Sequence, residues 1–274
     1  MAPVLWLNLV CLDAPLVAVA WLWLFARTFH ISLQVGNGVA LFLTAWLIYL
    51  GDRLADSASL KTDSPRSLRQ EFCGRYPALW IILLALVAGF DAYVIYRTTA
   101  LQTFIVGGAV GGLSLIYLVL NHPLGLIWRS LPAKELMIGL LFAAGTLVAL
   151  LPPPKTVPIG FAIAAIFFAA LCALNCISIA GWESGLDRAQ GRISIATRHP
   201  EIARNSGVIA LVLGVASFTM APIFRFAAPL LACIGASSFL LAWLNSRPIE
   251  VDRRTALADL VLLTPIVPLI AAAL

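Results

Sequence analysis

The sequence predicts an all-α polytopic membrane protein, with about nine transmembrane helices bundled around a central apolar cavity. Three observations carry this expectation. Of the 274 residues, 61% are hydrophobic and only 11% charged, whereas soluble domains carry about 25% charged residues. Apolar runs recur along the whole chain rather than at one end, which excludes a soluble globule on a single anchor. Lys and Arg alternate between crowded and nearly empty loops, as they do in a chain that crosses a bilayer repeatedly. No polar domain interrupts the series, so residues 1–274 form one expected transmembrane domain, with similar acidic motifs in two halves, roughly 1–130 and 131–274.

The first apolar segment runs from about Pro3 or Pro15 to Phe29, and is expected as an interfacial stretch followed by a helix broken at Pro15. Further spans are expected at about 34–51, 77–96, 101–121 and 134–151, the last bounded by Pro132 and a stop at Pro152–Pro154. The remaining four are about 157–182, 206–221, 226–245 and 257–274, leaving polar loops at about 52–76 and 183–205.

Loops at about 53–75, 129–134, 188–204 and 247–254 hold five, two, four and three basic residues, fourteen of the eighteen Lys and Arg. The alternate loops hold one each, Arg27, Arg97, Lys155 and Arg225. The positive-inside rule makes the first set cytoplasmic, with the N-terminus inside and the C-terminus outside. A bacterial inner membrane is the expected location, and the formal charge of +5 reflects topology rather than nucleic-acid binding. Because Arg27 is the first basic residue, no signal peptide is expected. The five cysteines show no CxxC spacing; Cys172 and Cys176 share a helix face and read as small apolar filler. His30, His122 and His199 sit in separate loops and are given no role.

Two acidic pairs stand out. Asp52 and Asp56 in LGDRLAD, and Glu183 and Asp187 in GWESGLD, each lie four apart at the end of an apolar run. On a helix, that spacing sets both carboxylates of a pair on one face, and the basic residues place both pairs at the cytoplasmic side. A charge inside a bilayer costs roughly 2.5–3.5 kcal/mol on insertion scales, so such a pair needs a partner or a task. Mg²⁺ takes oxygen ligands and is satisfied by one or two carboxylates plus substrate phosphates. Basic neighbours Arg53, Arg129, Lys134, Arg188 and Arg192 suit the remaining oxygens of a diphosphate, and an apolar cavity suits a hydrocarbon tail. The competing account is a set of solvated interfacial ion pairs, which explains one pair better than two with Gly191 and Ser194 in step. Tyr49, Trp182 and Asn175 are candidates to line the cavity, against membrane-belt or packing roles for the aromatics and an interhelical hydrogen bond for Asn175. Asp91 is expected to pair with Arg97 or to reach outer water. The Gly107-Gly108 and Gly111-Gly112 steps are expected to serve close helix packing.

On these residues the chain resembles the UbiA superfamily of intramembrane prenyltransferases, as a divergent member. That family's second motif reads DxxxDxxxGxxS, and Glu183, Asp187, Gly191 and Ser194 stand at those offsets. Its first motif reads NDxxDxxxD; Asp52, Arg53 and Asp56 match the later half, with Ile48 and Tyr49 in place of Asn and Asp. Leu12-Asp13-Ala14-Pro15 is similar to the family's L-D-x-P opening. The resemblance implies a UbiA-like fold and a Mg²⁺-dependent prenyltransferase, in which Asp52, Asp56, Glu183 and Asp187 bind metal and carry catalysis. It places Arg53, Arg129, Lys134, Arg188, Arg192, Tyr49 and Asn175 on the substrate. The implied donor is an isoprenoid diphosphate, and the acceptor is small and hydrophobic, aromatic or lipid-like, taken from within membrane lipid. A terpene cyclase or diphosphate lyase of the same fold, and a non-catalytic lipid-binding or transport protein, remain the alternatives.

Overall fold

The structure, a computed structural model, describes residues 3–60, 63–121, 134–150 and 158–271. Among them, every regular element is helical. The first half holds α1 (Pro3–Leu9), α2 (Asp13–Thr28), α3 (Val35–Ala58), α4 (Leu68–Arg75), α5 (Pro77–Thr98) and α6 (Leu101–Asn121). The second holds α7 (Lys134–Val148), α8 (Ile159–Ala189), two short turns α9 (Ile195–Arg198) and α10 (Pro200–Arg204), α11 (Ser206–Met220), α12 (Ala228–Asn245), α13 (Val251–Leu260) and α14 (Ile266–Ala271). Helices α3, α5, α6 and α8, together with the segment Arg225–Asn245, are long and apolar enough to cross a membrane, and α11 is a shorter apolar helix. This is a helical membrane protein. Helices α2, α7 and α11 lie where spans were expected but have 16, 15 and 15 residues, short of the roughly 20 that a straight span needs.

Two breaks differ from expectation. The first segment breaks at Cys11, whose φ is +59°; the Leu12 N–H turns back to the Leu7 carbonyl at 2.9 Å. Pro15 instead sits in the first turn of α2, where its missing N–H costs nothing. The expected span at 257–274 is divided between α13 and α14. At that division, the Leu262 carbonyl accepts the buried Trp21 indole N–H at 2.9 Å, which supplies a partner that helical continuation would otherwise have given.

The main core forms around α2, α8 and α12. Trp21 stacks on Phe168 with centroids 4.6 Å apart, and Phe25 packs against Phe168 and Phe161. Helices α7 and α8 approach closely at Gly139, where an added Cβ would lie 2.4 Å from the Ala173 nitrogen. Asn245 joins three helices: its Oδ1 accepts from Trp182 and Ser206, and its Nδ2 donates to Ser178 Oγ at 3.0 Å. Helix α3 runs to Ala58 and α8 to Ala189, each about two turns past the expected end. Both acidic pairs therefore sit within helices, not in the loops after them. Helix α4 folds back over the end of α3, with Ser57 Oγ donating to the Gln70 carbonyl at 2.8 Å and Cys73 fully buried.

Candidate functional site

A cavity of about 520 Å³ is lined by residues of α2 through α8 and of α13. Its walls are apolar, with Leu41, Ile48, Phe104, Ile138, Phe142 and Ile179 among them, and its mouth is charged. Asp52, Asp56, Glu183 and Asp187 all line it, as do Tyr49, Arg53, Lys134, Asn175 and Arg192. Arg188 is exposed and lies outside the lining. Arg129, like Lys155, His122 and the flanking prolines, lies outside the described residues.

The GxxS half of the second motif has a backbone explanation. Gly191 follows the end of α8 with φ +68°, a conformation that side chains disfavour. It permits the Arg192 N–H to reach the Asp187 carbonyl at 2.8 Å and the Gly191 N–H to reach Arg188 at 3.1 Å, closing the helix as a Schellman motif. Ser194 then stands before α9, its N–H donating to Thr197 Oγ1 at 2.9 Å. The turn aims Arg192 across the cavity mouth, where Nη1 donates to Asp56 Oδ2 at 2.7 Å and Nη2 to the Asp56 carbonyl at 3.0 Å. The two motifs are thus in direct contact.

Glu183 enters the cavity with both oxygens engaged. Oε2 pairs with Arg69 of α4, and Oε1 accepts from Thr255 of α13 at 3.2 Å. Burial is the largest influence on Arg69 and lowers its affinity for a proton, but Glu183, Tyr49 and Asp56 together outweigh it and hold the guanidinium above its ordinary value. Deeper in, Arg53 stacks on the Tyr49 ring 4.5 Å from its centroid and donates to its hydroxyl at 2.6 Å. Asn175 both lines the cavity and donates to Asp259 Oδ1 at 2.9 Å.

Lining residues that were not singled out by sequence include Arg69, Gln70, Glu135, Gln190 and Asp259. Glu135 is buried, with Oε1 accepting the Ile195 N–H at 3.1 Å, which fixes the loop after α8 to α7. Gln190 reaches Gln70 at 2.9 Å and the Pro65 carbonyl at 2.8 Å. Asp259 was detectable as an acid within an apolar stretch, ALADLVLL. Arg69 carried no local signal, since its partner lies 114 residues away.

Two expectations are corrected, those for Asp91 and for the glycine steps. Asp91 neither pairs with Arg97 nor reaches water; it is buried and accepts from Thr44 Oγ1 at 2.6 Å. Trp182, for which packing was weighed against a place in the cavity, lies outside the lining and serves packing through Asn245. Gly108, Gly111 and Gly112 do not support close packing, because a Cβ at each would meet nothing within 4 Å, and Gly107, Gly108 and Gly111 instead wall the cavity.

The donor set is entirely oxygen at the four motif positions, which suits Mg²⁺ held jointly with substrate phosphates. Among the described residues, no group of three or more His, Cys, Asp or Glu is arranged to hold a metal ion by protein alone. No family model matches the chain, and neither curated proteins nor solved structures provide a match.

Proposed function

We propose that the chain is a Mg²⁺-dependent intramembrane prenyltransferase of the UbiA type, which ionises an isoprenoid diphosphate and passes the prenyl group to a hydrophobic acceptor. The observation that carries this reading is the meeting of both acidic pairs, from helices over a hundred residues apart in sequence, at the mouth of one apolar chamber. Six carboxylates and four basic side chains line that chamber (Asp52, Asp56, Glu135, Glu183, Asp187 and Asp259 against Arg53, Arg69, Lys134 and Arg192). With this formal excess of negative charge, a diphosphate binds favourably only together with cations.

Asp52, Asp56, Glu183 and Asp187 would hold Mg²⁺, which supplies charge neutralisation for the departing diphosphate. Lys134 and the Arg192 guanidinium stand at the same mouth to receive diphosphate oxygens by charge-assisted hydrogen bonds. The Arg53 guanidinium, fixed by Tyr49, faces the chamber from below. The apolar walls keep water from an allylic cation. Purified full-length protein should release pyrophosphate from an allylic diphosphate only with Mg²⁺, and unchanged release in Asp187→Ala would refute the role given to that residue.

A second reading, a non-catalytic isoprenoid-binding protein, is favoured by one observation: Glu183 and Asp56 are already engaged by Arg69 and Arg192. Mg²⁺-dependent diphosphate binding without release, across donors and acceptors, would decide for it. A cyclic hydrocarbon formed without any acceptor would instead mark the chain as a cyclase.

A further inference from the structure

Glu135 is an acid of the chamber with no task in the proposed chemistry. It stands at the start of α7, lines the cavity and is only 3% exposed. Its Oε1 accepts the Ile195 N–H at 3.1 Å, while Oε2 is buried and has no partner among the described residues. Leaving a buried polar atom unsatisfied costs about 1–3 kcal/mol, and more where the group is charged. The adjacent Lys134 is not that partner, since neighbours in sequence on a helix do not face each other.

The loop after α8 brings Glu135 to the acidic motifs. Arg192 donates from Nη1 to Asp56 Oδ2 at 2.7 Å and from its backbone N–H to the Asp187 carbonyl at 2.8 Å. Ser194 lies against the Asp187 carboxyl, and the Ile195 N–H meets Glu135. The backbone from Arg192 to Ile195 spans at most about 11 Å. Acids from α3, α8 and α7 are therefore gathered along four consecutive residues.

The chemistry of Oε2 selects what it binds. A diphosphate is negatively charged and repels a carboxylate, so it is not the missing partner. A cation is. The chamber already holds six carboxylates against four basic side chains. Mg²⁺ takes carboxylate oxygens in ones or twos and fills its remaining positions with water and phosphate oxygens. The Ile195 N–H fixes the carboxylate through Oε1 and leaves Oε2 for one bond to the ion. Resting on the Mg²⁺-dependent reading, we infer that Glu135 is a further ligand of the bound cation, paired with Asp187 across the Ser194–Ile195 peptide.

The test uses full-length protein in lipid nanodiscs, with Mn²⁺ alone as the probe and the free ion counted by its paramagnetic resonance signal. Glu135→Gln keeps the size of the side chain and an oxygen for the Ile195 N–H, but removes the charge. It is expected to bind Mn²⁺ about ten-fold more weakly than wild type, the lower end of the range for losing a carboxylate that supports a bound metal. Glu71→Gln neutralises an exposed acid of α4 outside the chamber, and is expected to bind as wild type does. Equal affinity in wild type and Glu135→Gln overturns the inference, because Oε2 then carries a proton or stays bare. An equal loss in Glu71→Gln, or no saturable Mn²⁺ binding by wild-type protein, overturns it as well. Pyrophosphate release from an allylic diphosphate, measured separately, tells the two conclusions apart. Release by wild-type protein with no effect of Glu135→Gln on Mn²⁺ affinity removes Glu135 alone. A Glu135-dependent Mn²⁺ site without release keeps the cation ligand and removes the transferase reading.

Discussion

Arg192 grips Asp56 twice, through the carboxylate at 2.7 Å and through the backbone carbonyl at 3.0 Å. One contact thereby joins the loop after α8 to the last turns of α3 and sets the spacing of the two acidic motifs. An ion pair of this partial exposure, 22% and 26% for the two side chains, contributes only about 0.2–1 kcal/mol to stability.

Arg192→Ala should therefore melt close to wild type while losing about 100-fold in pyrophosphate release, the range of one donor removed from developing charge. Thermal melting and steady-state kinetics on the same preparation check this. A loss of activity that merely follows a loss of folded protein would remove Arg192 from the site.

Glu183 and Arg69 form a more buried pair, at 11% and 18% exposure. Stripping one partner of a buried pair costs about 3–5 kcal/mol, whereas replacing both by apolar groups is often neutral. Glu183→Leu alone is expected at the low end of that range, and Glu183→Leu with Arg69→Met is expected to recover most of the loss. Unfolding free energies of the two single variants and the double variant measure the coupling; strict additivity would show that the pairing carries no structural weight.

Gly191 tests the backbone account of the second motif. Gly191→Ala forces a side chain into the left-handed region at a cost of about 1–2 kcal/mol, and it should also displace Arg192 from Asp56. Gly185→Ala, within α8 where a Cβ meets nothing, is the matched control and is expected to be neutral or stabilising by up to about 1 kcal/mol. Equal effects at the two positions would contradict the role of the turn.

The helical class and the approximate positions of most long helices were legible because apolar run length and proline punctuation are local properties of the chain. The two acidic pairs were legible for the same reason, through spacing alone. Their setting was not: α3 and α8 continue through Asp52–Asp56 and Glu183–Asp187 because no breaker intervenes and neighbouring elements satisfy the charges. Arg69 and Asp259 owe their places to partners distant in sequence, Glu183 and Asn175, and single-sequence periodicity carries no pairing information. The break at Cys11 was missed because proline, the stronger local cue, stood four residues later and proved compatible with a helix start. The glycine steps of α6 were misread because small residues permit either close approach or open space, and only the neighbouring helices decide which.

That open space on α6 has a consequence for selectivity. Gly108 and Gly111 border the chamber, and a Cβ added at either would meet no atom within 4 Å, so bulk introduced there is expected to consume room in the chamber before it disturbs the fold. Under the proposed function, the stripe would act as a gauge on guest size. If the chamber takes a prenyl tail, Gly111→Leu should leave melting nearly unchanged while shifting preference toward shorter donors, read as kcat/KM along a series of isoprenoid diphosphates. Identical rankings in the two proteins would mean that long tails leave by another route, into surrounding lipid.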